Sequence, residues 1–256
     1  MPDLFTDIDT LVNTAVNAPS GRTGWRSKTT AQTLNKGEPQ CLRLDKLIQD
    51  LWKQIAVNWV EGGCQARGRV NWRWTLQTKR AENNKRLETV LEREIAGFSN
   101  KYWANQIPTA SGLSEGLGGG TGHLDLAYST ADEGVVMIEL KVRSNNPASA
   151  ALQLLLYGLV LTLARHVDPQ ISMITNNIWR DAKYADLRVL APLKYYESFK
   201  GLEWFERQLN EAVETFGSTH GLNMSFGFRS FNGDALPANE AAVIKCLGDD
   251  GKVNWA

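Results

Sequence analysis

The stretch that most constrains the fold spans residues 122–157 and reads GHLDLAYSTADEGVVMIELKVRSNNPASAALQLLLY. Short runs rich in apolar and β-branched residues predict two neighbouring strands, at residues 123–128 and 135–142. The alanine- and leucine-rich segment after them predicts a helix over residues 147–163. A strand pair that leads into an apolar helix indicates a mixed α/β fold.

The second predicted strand carries charge within an apolar run. Glu139 interrupts the run, and Lys141 follows two residues later. Because side chains alternate across a strand, Glu139 and Lys141 point to one face, and Ile138 and Leu140 point to the other. Burying charge without partners is costly, so this pair indicates either a structural ion pair or a site that uses it.

Three motif elements surround this charge pair. Asp125 lies on the first predicted strand, with thirteen residues between it and the Glu139-Leu140-Lys141 motif, and the sequence QLLLY occupies residues 153–157 of the predicted helix. Together they resemble the bipartite signature of the PD-(D/E)XK nuclease superfamily and the QxxxY motif of its RecB-like branch. The resemblance covers residues 82–190. It departs from the usual pattern in having His123 and Leu124, rather than a proline, before the aspartate.

The resemblance implies a restriction-endonuclease-like core, in which helices flank a mixed sheet. It also implies a metal site, whose ligands are the carboxylates of Asp125 and Glu139 and the main-chain carbonyl of Leu140. Such hard oxygen ligands suit Mg²⁺ or Mn²⁺. Lys141 would orient or deprotonate the attacking water, or stabilise the pentavalent phosphate, and the sequence leaves that choice open.

Two further residues of the predicted helix belong to the implied catalytic set. Gln153 and Tyr157 are four positions apart, so they share one helical face and reach the site together. The alternative is that both residues serve helix packing.

In the family, the helix before the hairpin often supplies one more carboxylate to the metal. Here that helix is predicted over residues 82–98, and it offers Glu88, Glu92 and Glu94. On a helical wheel Glu94 falls within the apolar stripe, Glu88 lies at its edge and Glu92 lies further round. We expect Glu88 to be the ligand because its early place in the helix is similar to the family's usual placement, with Glu94 as the next candidate.

Composition limits the other functions. Basic and acidic residues balance at 28 each, so any nucleic-acid interface must be local. Three scattered cysteines form neither a disulfide framework nor a CxxC pair, which favours a reducing compartment. The histidines and serines supply no HExxH or GxSxG motif. Apolar runs fall short of a membrane span, and the acidic N-terminus does not resemble a signal peptide, so we expect a cytoplasmic protein without a membrane partner.

The rest of the chain predicts an additional N-terminal helical segment, residues 1–80, before a nuclease-like domain with a C-terminal extension, residues 81–256. Helices are expected at residues 2–16 and 44–60, with a polar loop at 17–40 between them. The remaining predicted elements are strands at residues 102–110, 171–175, 185–191 and 224–231 and helices at 201–216 and 238–247.

A basic stretch precedes the predicted core. Residues 66–86 contain seven lysines and arginines, one glutamate and two tryptophans, Trp72 and Trp74. It would track a nucleic-acid backbone, or form a solvated basic face whose tryptophans point into the core. The glycine-rich residues 111–122 suit a mobile flap beside the site. His123 shares the face of Asp125 and either touches the site or is a hydrogen-bonded structural residue.

These observations predict a Mg²⁺- or Mn²⁺-dependent deoxyribonuclease, with DNA as the substrate and RNA as the second candidate. A homodimer, or a partner protein in a DNA-processing or defence system, is consistent with this function. One alternative is a nuclease-like fold that binds nucleic acid or protein without cleaving. Another is a structural α/β protein in which Lys141 only pairs with Asp125 or Glu139.

Overall fold

The computed structural model describes residues 3–20, 24–61, 71–79, 86–98, 101–110, 122–142, 146–166, 176–232 and 237–255. Within these ranges the chain has a mixed α/β fold, in which helices flank an open sheet of five strands. The strand predicted at residues 171–175, the glycine-rich residues 111–121 and much of the basic stretch, including Arg67 and Arg69, lie outside them.

The elements follow in chain order. They are α1 (Ile8–Ala15), α2 (Lys28–Asn35), α3 (Leu44–Glu61), α4 (Leu87–Gly97), β1 (Trp103–Pro108), β2 (His123–Ser129), β3 (Val135–Leu140), α5 (Pro147–His166), α6 (Asn177–Asp181), β4 (Tyr184–Pro192), α7 (Leu193–Tyr196), α8 (Glu203–Thr219), β5 (Asn223–Phe231) and α9 (Glu240–Leu247). The described strands correspond to those predicted from the sequence, within one to two residues at each end.

The sheet has the spatial order β1-β2-β3-β4-β5. β1 pairs with β2 and β2 with β3 in antiparallel ladders, whereas β3–β4 and β4–β5 are parallel. Parallel neighbours require a crossover connection, and α5 and α8 provide the two crossovers. The antiparallel hairpin and the first crossover therefore meet where β3 ends and α5 approaches.

Two apolar layers cover the sheet. Val135 and Met137 of β3 pack in the larger core with α5, α8 and the N-terminal helices. Val136 and Ile138 point the other way, into a smaller core with α4 and α9. Side chains of β3 therefore alternate between two buried layers, which explains why its sequence is apolar almost throughout.

The N-terminal residues contain a helix that the sequence analysis did not predict. The polar composition of residues 17–40 predicts a loop, but residues 28–35 form α2. Ser27 caps it, because its hydroxyl accepts a hydrogen bond from the backbone N–H of Thr30 at 3.1 Å. Ala31 and Leu34 bury the inner face against the core. A good cap and two apolar contacts outweigh the weak helix propensity of the threonines.

Residues of α1, α2 and α3 belong to the same hydrophobic core as α5 and α8. The division of the chain near residue 80 stays a prediction. Among the described helices, α5 is the one that is long and apolar enough to cross a membrane, and 89% of its most apolar window is buried inside the fold. That burial is consistent with the core helix of a soluble protein.

Candidate active site

The hairpin of β2 and β3 brings two carboxylates together. The antiparallel register pairs Leu126 with Ile138, so the next position along both strands places Asp125 beside Glu139. By alternation along β3, Glu139 points to the sheet face on which Met137 packs, which is the face that α5 covers.

Backbone and side-chain contacts fix this pair. The backbone N–H of Leu140 donates to Asp125 Oδ2 at 2.9 Å. Lys141 Nζ lies 2.6 Å from Glu139 Oε1, as the alternation of side chains predicts. Glu139 is only 2% exposed, and within the described residues its Oε2 atom is buried without a hydrogen-bond partner. The hairpin thus presents a buried carboxylate oxygen whose capacity to accept is unused.

Helix α4 places two glutamates at the same site. Glu88 Oε1 accepts a hydrogen bond from the backbone N–H of Val142 at 3.3 Å, just beyond Lys141. Glu92, one turn later, is buried. Glu94 is exposed and does not line the site cavity.

The helical wheel was therefore wrong for two glutamates of α4: Glu92 is buried and Glu94 is exposed. The buried residues of the helix are Leu91, Glu92, Ile95 and Ala96, which places the buried stripe on the side of Glu92 and away from Glu94. A helical wheel places the apolar residues Leu87 and Phe98 on the stripe, but both are more than a third exposed. Polar contacts with β1 draw Glu92 inward, and a wheel based on hydrophobicity alone does not include such contacts.

Helix α5 supplies the third side of the site. Gln153 Nε2 donates to the hydroxyl oxygen of Tyr157 at 2.9 Å, so the two residues act as one hydrogen-bonded pair on one helical face. Tyr157 is 1% exposed. Burial, and secondarily the charge of Glu139, raises the pKa of Tyr157 above its usual range, so its hydroxyl stays protonated.

These elements surround one cavity of about 360 Å³. Six of the seven predicted site residues line it, namely Glu88, Asp125, Leu140, Lys141, Gln153 and Tyr157. Glu139 does not line it directly but lies behind Lys141, to which it is bonded. The structure thus brings all the predicted site residues to one place. Their roles stay predictions.

The site concentrates negative charge in a buried place, which disfavours the ionised form of its carboxyl groups. Burial raises the pKa of Asp125, against the opposing effects of Lys141 and the Leu140 N–H. Burial, followed by the charge of Asp125, raises the pKa of Glu139 to about 7. Burial alone would lower the pKa of Lys141, but the nearby carboxylates outweigh it and hold that pKa above its usual value. One ammonium group thus faces two carboxylates that repel each other.

The donor set fits a hard divalent cation. Within the described part of the chain, no three His, Cys, Asp or Glu side chains converge closely enough to hold a metal ion on their own. Asp125 and Glu139 supply two carboxylates. The backbone of Leu140 lies at the same site, because its N–H donates to Asp125 Oδ2. A cation bound here would compensate both the unpartnered Oε2 of Glu139 and the excess negative charge.

Several lining residues were not predicted as site residues. They are Arg86, Thr89, Gln106 and Gly122. Gln106 lies on β1 between Asn105 and Ile107, whose partners on β2 are Leu126 and Leu124, so it faces the position of Asp125, and no local sequence pattern indicates this. His123 also lines the cavity, and burial followed by the charge of Arg73 lowers its pKa.

The described part of the basic stretch lies along the edge of the sheet. The backbone N–H of Trp72 donates to the carbonyl of Pro108, and Asn105 donates to the carbonyl of Thr75. Trp72 is buried against Trp179, with ring centroids 5.1 Å apart. This supports the interpretation that Trp72 points into the core, whereas Arg73 is exposed next to the cavity.

Comparison with known proteins adds no assignment: no protein-family model matches the chain, and neither a curated protein nor a solved structure matches it significantly.

Proposed function

We propose that this chain is a divalent-metal-dependent nuclease with a restriction-endonuclease-like core, and that it hydrolyses the phosphodiester bonds of DNA. The observation that carries the proposal is the convergence of Asp125, Lys141, Gln153 and Tyr157 on one cavity, with Glu139 bonded to Lys141 behind it. The motif residues are carried by β2, the end of β3 and α5, and a structural ion pair requires no cavity around it.

In this proposal Asp125, Glu139 and the carbonyl of Leu140 would hold Mg²⁺ or Mn²⁺, and Glu88, which lines the same cavity, would add a further carboxylate. The bound ion supplies Lewis-acid polarisation of the phosphate and lowers the pKa of a water molecule. Lys141 Nζ orients that water or stabilises the negative charge that develops on the phosphate. The neutral hydroxyl of Tyr157, held by Gln153, donates a hydrogen bond on the α5 side of the cavity.

The proposed partner is DNA, with RNA as the second substrate to test. Arg86 lines the cavity, and Arg73 lies beside it on the exposed edge segment. Both are suited to contact phosphates flanking the scissile bond. A cytoplasmic location, where the cysteines stay reduced, is part of the same proposal.

The test is cleavage of linear, circular and single-stranded DNA, with an RNA control, in Mg²⁺ or Mn²⁺. Lys141→Ala and Asp125→Ala should abolish cutting, as should EDTA, while circular dichroism shows an unchanged fold. Lys53→Ala is the matched control, because this exposed lysine on α3 lies outside the cavity. It should cut like the wild type.

Cutting that survives in Lys141→Ala or in EDTA would refute the proposed chemistry. If the wild type retains DNA in a gel shift but cuts no substrate, the chain is instead a nuclease-like binding module. The substrate that is cut separates endonuclease from exonuclease action, since a circle has no end.

A further inference from the structure

Glu92 is a buried carboxylate that the proposed chemistry does not use, although it lines the cavity. Two amide side chains of β1 hold it. Asn105 Nδ2 donates to Glu92 Oε1 at 2.7 Å, and Gln106 Nε2 donates to Oε2 at 2.6 Å. Both carboxylate oxygens are therefore bound by consecutive residues of one strand. These three residues form what we call the Glu92 clamp.

The clamp requires an unusual backbone conformation. Gln106 has a φ of 49°, in the left-handed region, where the backbone of a residue other than glycine is strained. Consecutive side chains in a regular strand point to opposite faces. The left-handed residue interrupts that alternation, so Asn105 and Gln106 both reach Glu92. The strained residue and the clamp thus occur together, next to the position of Asp125.

Neighbouring contacts hold the clamp in place. Asn105 is fully buried, and its Oδ1 accepts a hydrogen bond from the backbone N–H of Gln77 at 2.7 Å. Arg93 Nη1 lies 3.3 Å from Glu92 Oε1 and also donates to the carbonyl of Gln77. A buried network whose members are hydrogen-bonded in this way permits little rotation of α4 against β1.

Glu88 lies one helical turn before Glu92, on the same face of α4. It is half-buried, and its carboxylate accepts a hydrogen bond from the Val142 N–H at 3.3 Å. Because Glu88 is carried by α4, its position depends on how α4 is held. Building on the proposed function, we infer that Glu92 is a positioning residue, which sets the location of Glu88 at the metal site through the clamp and does not itself bind the ion.

Mn²⁺ binding measures this role without reference to catalysis. Free Mn²⁺ is followed by electron paramagnetic resonance in the wild type, Glu88→Ala, Glu92→Gln and the double variant. Glutamine at position 92 presents one N–H₂ group to an amide donor and so loses one of the two clamp bonds. We expect Glu92→Gln to weaken Mn²⁺ binding by about 10–100-fold. In the Glu88→Ala background it should cause no further loss, since it acts through Glu88.

Glu94→Gln is the matched control, because it makes the same substitution on an exposed position of the same helix. It should leave Mn²⁺ affinity unchanged. An equal loss from Glu92→Gln in both backgrounds would make Glu92 an independent ligand and overturn the inference. No loss in either background would leave it with a purely structural role, which also overturns the inference.

Amide exchange of Val142 in metal-free protein separates this inference from the proposed function. Loosening of α4 should accelerate the exchange of the Val142 N–H in Glu92→Gln and leave it unchanged in Glu94→Gln. If the wild type binds no Mn²⁺, the proposed metal site fails. The positioning role then stands if Val142 exchange accelerates in Glu92→Gln, and is refuted if the exchange rate does not change.

Discussion

Replacing Asp125 with asparagine should stabilise the metal-free protein above neutral pH while abolishing cleavage. Burial and the charge of Asp125 raise the pKa of Glu139 from 4.5 to about 7. A carboxyl group whose pKa is raised by folding favours the folded state at low pH, and that contribution is lost as the pH rises through the folded-state pKa. The wild type in EDTA should therefore lose stability between pH 4.5 and about 7.

The size of the effect follows from the shift. At about 1.4 kcal/mol per pKa unit, Glu139 accounts for at most about 3.5 kcal/mol. For a chain of this length each kcal/mol changes Tm by about 2–4 °C, so the fall in Tm is at most about 7–14 °C. Asp125 is the second cause of the shift, after burial. Asparagine, whose Oδ1 still accepts from the Leu140 N–H, should recover roughly 1–2 kcal/mol.

A bound metal ion should also stabilise the wild type above neutral pH, as the loss of the Asp125 charge does. A cation at 100 times its Kd stabilises the wild type by about 2.7 kcal/mol, which is comparable to the cost of the charged carboxylates. The metal ion should stabilise the Asp125→Asn variant only a little, because this variant has lost a metal ligand. The assay is thermal unfolding from pH 4.5 to 8, in EDTA and in excess Mg²⁺ or Mn²⁺.

Two results would refute this reasoning. A wild-type Tm in EDTA that does not fall between pH 4.5 and 7 would mean that the carboxylates carry no burial penalty. An Asp125→Asn variant that is less stable than the wild type at pH 8 would mean that Lys141 overcompensates both charges. Lys53→Gln serves as the control for a surface substitution.

Three further predictions concern binding and packing. Arg73→Gln should weaken DNA binding and reduce the slope of log affinity against log salt by about 1 in fluorescence anisotropy, whereas Lys53→Gln should not. Asn146→Ala removes the cap of α5 and the donor to two carbonyls before α2, and should cost about 1–3 kcal/mol in urea unfolding. Gly158→Val would force a Cβ to within 2.7 Å of Met224 Cε. That variant should lose about 1–3 kcal/mol in the same assay, and a loss below 0.5 kcal/mol would contradict the close packing of α5 on the sheet.

The hairpin and the helix of the candidate site could be predicted because local patterns determine them. The alternation along β3 places Glu139 and Lys141 on one face whatever the rest of the chain does. The four-residue spacing likewise places Gln153 and Tyr157 together. The turn between β2 and β3 is short, so the two strands pair antiparallel, and this pairing brings Asp125 beside Glu139.

Other features depend on contacts between segments that are distant in sequence. The inward orientation of Glu92 comes from Asn105 and Gln106, which lie on another element. The left-handed backbone of Gln106 has no local signal, since glycine is the residue usually found there. α2 was missed because its polar residues predict a loop, and its burial comes from packing against α5 and residues 197–202.

Helix α5 explains why the site needs the N-terminal helices. Sixteen of its 20 residues are buried, around its whole circumference, and a helix that is apolar on all sides must be covered on all sides. The sheet covers one side, through β3 and β4, and α2 and α3 pack against the helix from elsewhere. Asn146, directly before α5, donates to the carbonyls of Trp25 and Ser27 at 3.1 and 2.9 Å. The N-terminal segment therefore fixes the helix that carries Gln153 and Tyr157, so the geometry of the candidate site depends on both halves of the chain.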